Sequence, residues 1–174
     1  MSMDILKPML AYDLEKLSEG RAVPLMFPFI AQPKMDGFRC IIFNGYAYSR
    51  AGQLFKNPSV VAIAKAIKEN YPTLNYPLDG ELTVGTPTNP HVYNATQSLN
   101  GLEPIEDVRF NCFDVIVPGE PQHKRITFLM EYFRDDPRDI GVMLPIYEHI
   151  PDENSLWAYY NLLISHGYEG IISP

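Results

Sequence analysis

Apolar and polar positions alternate along the chain in short runs that predict a mixture of strands and helices. Phe27–Pro33 reads as a strand arriving at Lys34. Phe38–Phe43 and Tyr46–Arg50 flank Asn44-Gly45, a hairpin signal because both residues tolerate the positive φ of a two-residue turn. Asn57 before Pro58 predicts a helix start, the amide capping free N–H groups and the proline ring pre-setting φ. Val61, Ala64, Ile67 and Lys68 continue at helical spacing, so a helix spans Pro58–Asn70. Further on, the pattern predicts a strand over Leu78–Val84, a helix over His91–Asn100 closed by Gly101, and an apolar strand over Arg109–Val117. Ile126–Arg134 reads as a helix with Leu129 and Phe133 on one face, and Val142–Tyr147 as a strand. Asp152 begins a long helix through Ser165, and Glu169–Ser173 opens a last β segment. Near the start, Asp13–Leu17 predicts a short helix ended by Gly20. Helices mixed with hairpins give an α+β class, antiparallel sheets flanked by helices.

Composition narrows the picture. A chain of 174 residues fits one domain of about 150. With 46% hydrophobic and 12% aromatic residues, disorder is excluded. No apolar run approaches the ~18 residues of a membrane span, and Met1–Pro24 lacks the apolar core of a signal peptide. Cys40 and Cys112 fall inside predicted strands as buried reduced thiols, so a cytoplasmic protein is expected; a monomer with no membrane contact is expected as well. Fourteen Lys and Arg against 21 Asp and Glu leave a net charge of −7, which weighs against strong nucleic-acid binding by this segment alone. The 16 prolines are scattered, punctuating many short elements.

Five short motifs carry chemistry. In Lys34-Met35-Asp36-Gly37-Phe38-Arg39 a lysine lies between a strand and a glycine turn, its stem packed and its amine displayed, a nucleophile if desolvated or set beside other cations. Arg39 returns along the next strand toward a ribose or phosphate. A surface lysine before a simple turn is the bland alternative, and Lys-x-Asp-Gly arises by chance in roughly 4% of chains this long. Ser49-Arg50-Ala51-Gly52 places an arginine at a strand end, where its planar fork suits a phosphate or ribose. In Asp79-Gly80-Glu81, carboxylates interrupt an apolar strand, which calls for a partner: a ribose hydroxyl, Mg²⁺ or a cationic side chain. A plain turn would also accommodate them. Phe113-Asp114 sits in the most apolar strand, where a phenylalanine is ordinarily core. In Glu169-Gly170-Ile171-Ile172, Glu169 is placed to ligate a metal or orient the lysine.

Taken in order, each at a strand or strand end, these motifs resemble the covalent nucleotidyltransferases and, among them, the adenylation domain of ATP-dependent DNA ligases. Pro8-Met9-Leu10-Ala11 resembles the segment preceding that domain, and the likeness runs over about residues 8–173. Compact phage or virus ligases are the nearest in style. The resemblance implies an ATP-grasp-like nucleotidyltransferase fold, ATP and Mg²⁺ as cofactors, and nicked double-stranded DNA as the partner of the full-length protein, in repair, replication or recombination. It implies that Lys34 attacks the α-phosphate of ATP and holds AMP through a phosphoramide bond. Asp36 and Gly37 then shape the turn that presents the lysine. Arg39 and Arg50 would grip ribose and phosphate, Glu81 the ribose or metal, and Phe113 would stack on adenine. Glu169 would serve metal binding, and Gln32 would stand near the adenine amino group where the family often has a glutamate.

Family members continue past the Glu-Gly motif to a Lys-x-Lys motif and an OB-fold domain, so this chain resembles a C-terminally truncated domain, with nick sealing by these residues alone not expected. RNA ligases and mRNA-capping guanylyltransferases share Lys-x-Asp-Gly, and a non-catalytic nucleotide-binding module could keep the fold. Arg39 and the Pro-Met-Leu-Ala lead favour DNA ligase, and an intact Lys34 speaks against lost chemistry.

Overall fold

The computed structural model describes residues 25–172. The short helix expected at Asp13–Leu17 and the Pro8–Ala11 segment lie outside them. The described residues fall into two compact units, one made of Met35–Pro145 and the other of the segments on either side.

From β1 (Phe29–Lys34), which belongs to the flanking unit, the chain enters the central one through β2 (Phe38–Phe43) and β3 (Tyr46–Ser49). Asn44 and Gly45 between them adopt φ of 54° and 83°, the left-handed values that the Asn-Gly pair provides. Next come α1 (Pro58–Asn70), β4 (Leu78–Val84), the short α2 (Val92–Thr96) and β5 (Val108–Val115). They are followed by α3 (Gln122–Tyr132) and β6 (Val142–Met143). These strands form one sheet in the order β3-β2-β4-β5-β6, antiparallel except for the parallel β5–β6 pair.

Helix α1 starts where the sequence requires. Asn57 Oδ1 accepts from the Ser59 amide at 3.0 Å, and its Nδ2 donates to the carbonyls of Gly101 and Glu103 at 3.1 and 2.9 Å. One side chain thus caps the helix and anchors a distant loop. Phe38, Cys40 and Ile42 of β2, Leu78 and Leu82 of β4, and Phe110, Cys112 and Val115 of β5 pack with Val60, Ile63, Ala64 and Ile67 of α1 and Leu129 of α3. Because successive strand residues point to opposite faces, Arg39, Asp79, Glu81 and Asn111 are left on the other side of the sheet.

One irregularity matters. Asp79 pairs with Asp114 and Gly80 with Cys112, so Phe113 is the extra residue of a β-bulge, a device that re-aims a side chain. The bulge explains why the core positions of β5 run 110, 112, 115, and it leaves Phe113 half-buried off the core. At its edge Asp114 takes a two-pronged ion pair from Arg125, at 2.9 Å to each oxygen, and accepts the Val115 amide at 2.8 Å. Arg125→Met leaves that carboxylate without its cation and is expected to cost on the order of 3 kcal/mol, read as a lower urea midpoint at unchanged slope.

In the flanking unit, β1 lies between β7 (Glu148–Ile150) and β8 (Gly170–Ile172), antiparallel to both. Helix α4 (Glu153–Ser165) is capped by Asp152, whose carboxylate accepts the Ser155 amide at 2.8 Å. That hydrogen bond holds the Asp152 carboxyl below its ordinary range. Leu156 of α4 packs on Ala31 and Ile150, with Phe29 and Ile171 at the margin.

Three expected elements differ. The His91–Asn100 helix is α only to Thr96 and tightens to a 3-10 turn over Gln97–Asn100. The helix expected at Ile126–Arg134 begins at Gln122, directly after Pro121, because a proline just ahead of a helix loses nothing by lacking an N–H. The Val142–Tyr147 strand shrinks to Val142–Met143, since Pro145 cannot donate to a ladder, and β7 forms downstream instead.

Candidate active site

Lys34 ends β1 opposite Gly170 of β8, and the Glu169 amide donates to its carbonyl at 3.2 Å. The side chains repeat the link, the Lys34 ammonium forming an ion pair with the Glu169 carboxylate. Two elements far apart in sequence are therefore pinned at the lysine by main chain and side chain together. Two residues earlier on the same strand face, opposite the face on which Ala31 meets α4, Gln32 is only 2% exposed. Its Oε1 is buried and accepts no hydrogen bond among the described residues. Leaving a buried acceptor unmade costs about 1–3 kcal/mol, so this oxygen calls for a donor from outside the described residues.

In the central unit, Gly37 precedes β2 at a place where a Cβ would run into the Leu82 backbone carbonyl and lie 3.0 Å from Glu81 Cγ. The motif glycine is thus required by close packing of β2 on β4. Arg39 follows, paired in register with Glu81. Its Nε and Nη2 donate to Asp79 Oδ1 and Oδ2 at 2.6 and 2.7 Å, and its guanidinium carbon lies 4.6 Å from the centre of the Phe113 ring. Asp79 is 4% exposed. Burial pushes its carboxyl above the ordinary range, with Arg39 pulling the other way. Gly80 is open for a packing reason too: a Cβ there would lie 2.5 Å from the Phe110 ring and 2.6 Å from the Asn111 carbonyl. Asn111 in turn donates to the Glu81 carbonyl and to Thr83 Oγ1, both at 3.1 Å, which fixes the strand from Glu81 to Thr83.

The expected residues therefore gather in two groups. Lys34 and Gln32 lie on β1 of the flanking unit with Glu169 directly before β8, while Arg39, Glu81 and Phe113 share one face of the central sheet with Asp79. Arg50 joins neither group's hydrogen-bond network. It stands exposed at the tip of the turn that Ser49 and Gly52 close at 2.8 Å, with no ion pair among the described residues. Glu81 and Glu169, the expected metal ligands, belong to different units, and the described residues hold no cluster of three or more His, Cys, Asp or Glu fit to cage an ion. Asn111 was not expected, since nothing in a strand sequence distinguishes an amide that ties the neighbouring strand from a solvated one. The carboxylate of Asp79 was signalled only as a charge interrupting an apolar strand.

A family model described as ATP dependent DNA ligase domain matches residues 8–173. No curated protein sequence gives a significant match. Among solved structures, a Chlorella virus DNA ligase-adenylate superposes with a TM-score of 0.73 at 21% identity, over 95% of this chain and 59% of that one. A structure titled Pmar-Lig_PreS3 gives 0.75 at 16%, over 94% and 41%. The ATP-dependent DNA ligase of bacteriophage T7 in complex with ATP gives 0.57 at 15%, over 92% and 59%. At these identities the likeness establishes the nucleotidyltransferase fold. The chain spans 59% of the Chlorella virus and T7 proteins and 41% of the other.

Proposed function

The chain belongs to the ATP-dependent DNA ligase domain family, and from that membership we propose that it is an adenylyltransferase module charging Lys34 with AMP for transfer to the 5′-phosphate of nicked duplex DNA. The observation that carries this reading is the Lys34 amine displayed at the end of β1 and held by Glu169. Once the Lys34 ammonium has released a proton to solvent, the freed electron pair forms the N–P bond at the α-phosphate as the bridging bond to the β-phosphate breaks. Pyrophosphate departs, and Glu169, already touching the nitrogen, is placed to take the displaced proton. Negative charge builds on the phosphate in this step, and Arg50, unpaired in the described structure, is the cation we assign to it.

Base recognition falls to Phe113, by stacking, and to Gln32, whose unmade Oε1 accepts the adenine amino group. Glu81 is assigned to the ribose. With no cage among the described residues, Mg²⁺ would share its ligands between Glu81 or Glu169 and the triphosphate, as that ion commonly does, and would supply charge neutralisation on the leaving pyrophosphate. The two buried free thiols, Cys40 and Cys112, favour a reducing compartment such as the cytoplasm.

ATP labelled at the α-phosphate tests the proposal. Label should be retained from the α position and not from the γ, GTP should label poorly, and nicked duplex carrying a 5′-phosphate should discharge the label in the full-length protein. Preferential labelling by GTP would instead mark a capping-type guanylyltransferase.

A further inference from the structure

Asp79 is an acidic residue buried near the start of β4, and nucleotide chemistry gives it no direct task. Its position does. It grips both donor edges of the Arg39 guanidinium, at 2.6 and 2.7 Å, and that planar group lies over the Phe113 ring at 4.6 Å. A bidentate pair fixes the plane of the guanidinium as well as its place, and a cation over an aromatic face restrains the ring in turn. Phe113 is the extra residue of the β-bulge opposite Asp79 and Gly80, so its ring is aimed by what the side chain touches, and the guanidinium is one such contact.

We propose that Asp79 is a positioning residue for nucleobase recognition, acting through Arg39 to set the ring plane of Phe113 against which the base stacks. The inference rests on the proposed stacking role of Phe113. It assigns Arg39 a further task beyond contact with ribose or phosphate. A base stacking on Phe113 takes the face opposite the guanidinium, so the ring is sandwiched between a cation and a purine.

The test uses 2-aminopurine riboside triphosphate, whose fluorescence is quenched on stacking, titrated into the protein. Asp79→Asn keeps the shape but loses the two-pronged grip, and should weaken binding about five- to tenfold, the worth of one aromatic stack, with a shallower quench at saturation. Phe113→Ala should do the same, and the double variant should bind no more weakly than Phe113→Ala alone, since the two act in series. Multiplying effects in the double variant, or an Asp79→Asn protein with wild-type affinity and quench, would overturn the proposal. Should Asp79→Asn fail to fold, Arg39→Lys keeps a cation beside Asp79 without the planar stack, and it should show the same weaker binding and shallower quench. Wild-type binding by Phe113→Ala would instead sink the stacking role itself, separating failure of that reading from failure of the relay.

Discussion

Lys34→Ala should take up no AMP from ATP while melting within about 1 kcal/mol of the parent, because an exposed ion pair contributes little to stability. The side chains of Lys34 and Glu169 are 38% and 45% exposed, so their contact orients the amine without holding the fold together. The chemical loss, by contrast, is complete. No neighbouring residue replaces an electron pair at the end of β1, and the phosphoramide bond needs a nitrogen there. Lys34→Arg sharpens the point, since a guanidinium keeps the positive charge at the site but stays protonated. It should be as inactive as the alanine variant. Radiolabel retention and circular-dichroism melts on the three proteins decide the matter, and AMP uptake by the arginine variant would show that charge, not nucleophilicity, is what Lys34 supplies.

Gly37→Ala should damage both fold and chemistry. The new methyl group would meet the Leu82 carbonyl, with Glu81 Cγ at 3.0 Å and Thr83 Cγ2 at 3.1 Å close behind. Backbone cannot swing aside as a flexible side chain can, so relief requires β2 and β4 to part at the Phe38–Leu82 pair. That motion shifts Arg39 and Glu81 together. Overpacking of this kind costs about 3 kcal/mol, and adenylation well below the melting temperature should fall by at least about tenfold, since small displacements at a reacting centre are amplified in rate. Urea midpoints and label uptake report the two effects separately. A variant matching the parent in both would mean that this glycine is not required by the close approach of the strands.

How much of this was legible beforehand differs from residue to residue. The Asn44-Gly45 hairpin and the Asn57-Pro58 helix start are local devices, and both fall where the sequence places them. Strand β7 was not legible, because Glu148-His149-Ile150 carries one buried residue and forms by pairing with a strand more than a hundred residues away. The lysine motif is readable because its glycine and its flanking strand are contiguous. The grip of Asp79 on Arg39 is not, since it depends on β4 lying beside β2, which alternation cannot state. Phe113 is an intermediate case. Its residue type marks a strand, but only the bulge turns it away from the core, and a bulge is a matter of register between two strands. Gln32 shows the same limit: period two assigns it a face, while its unmade hydrogen bond is visible only in three dimensions.

Peptide mapping of the ATP-treated full-length protein at neutral pH, where the acid-labile P–N bond survives, tests Lys34 as the AMP acceptor most directly. Trypsin should cleave the untreated protein after Lys34 and leave it uncut there once charged, so that a single peptide from Ala22 to Arg39 appears carrying one AMP. AMP found on any other residue, or a protein that binds ATP yet yields no adduct on that peptide, would contradict the assignment.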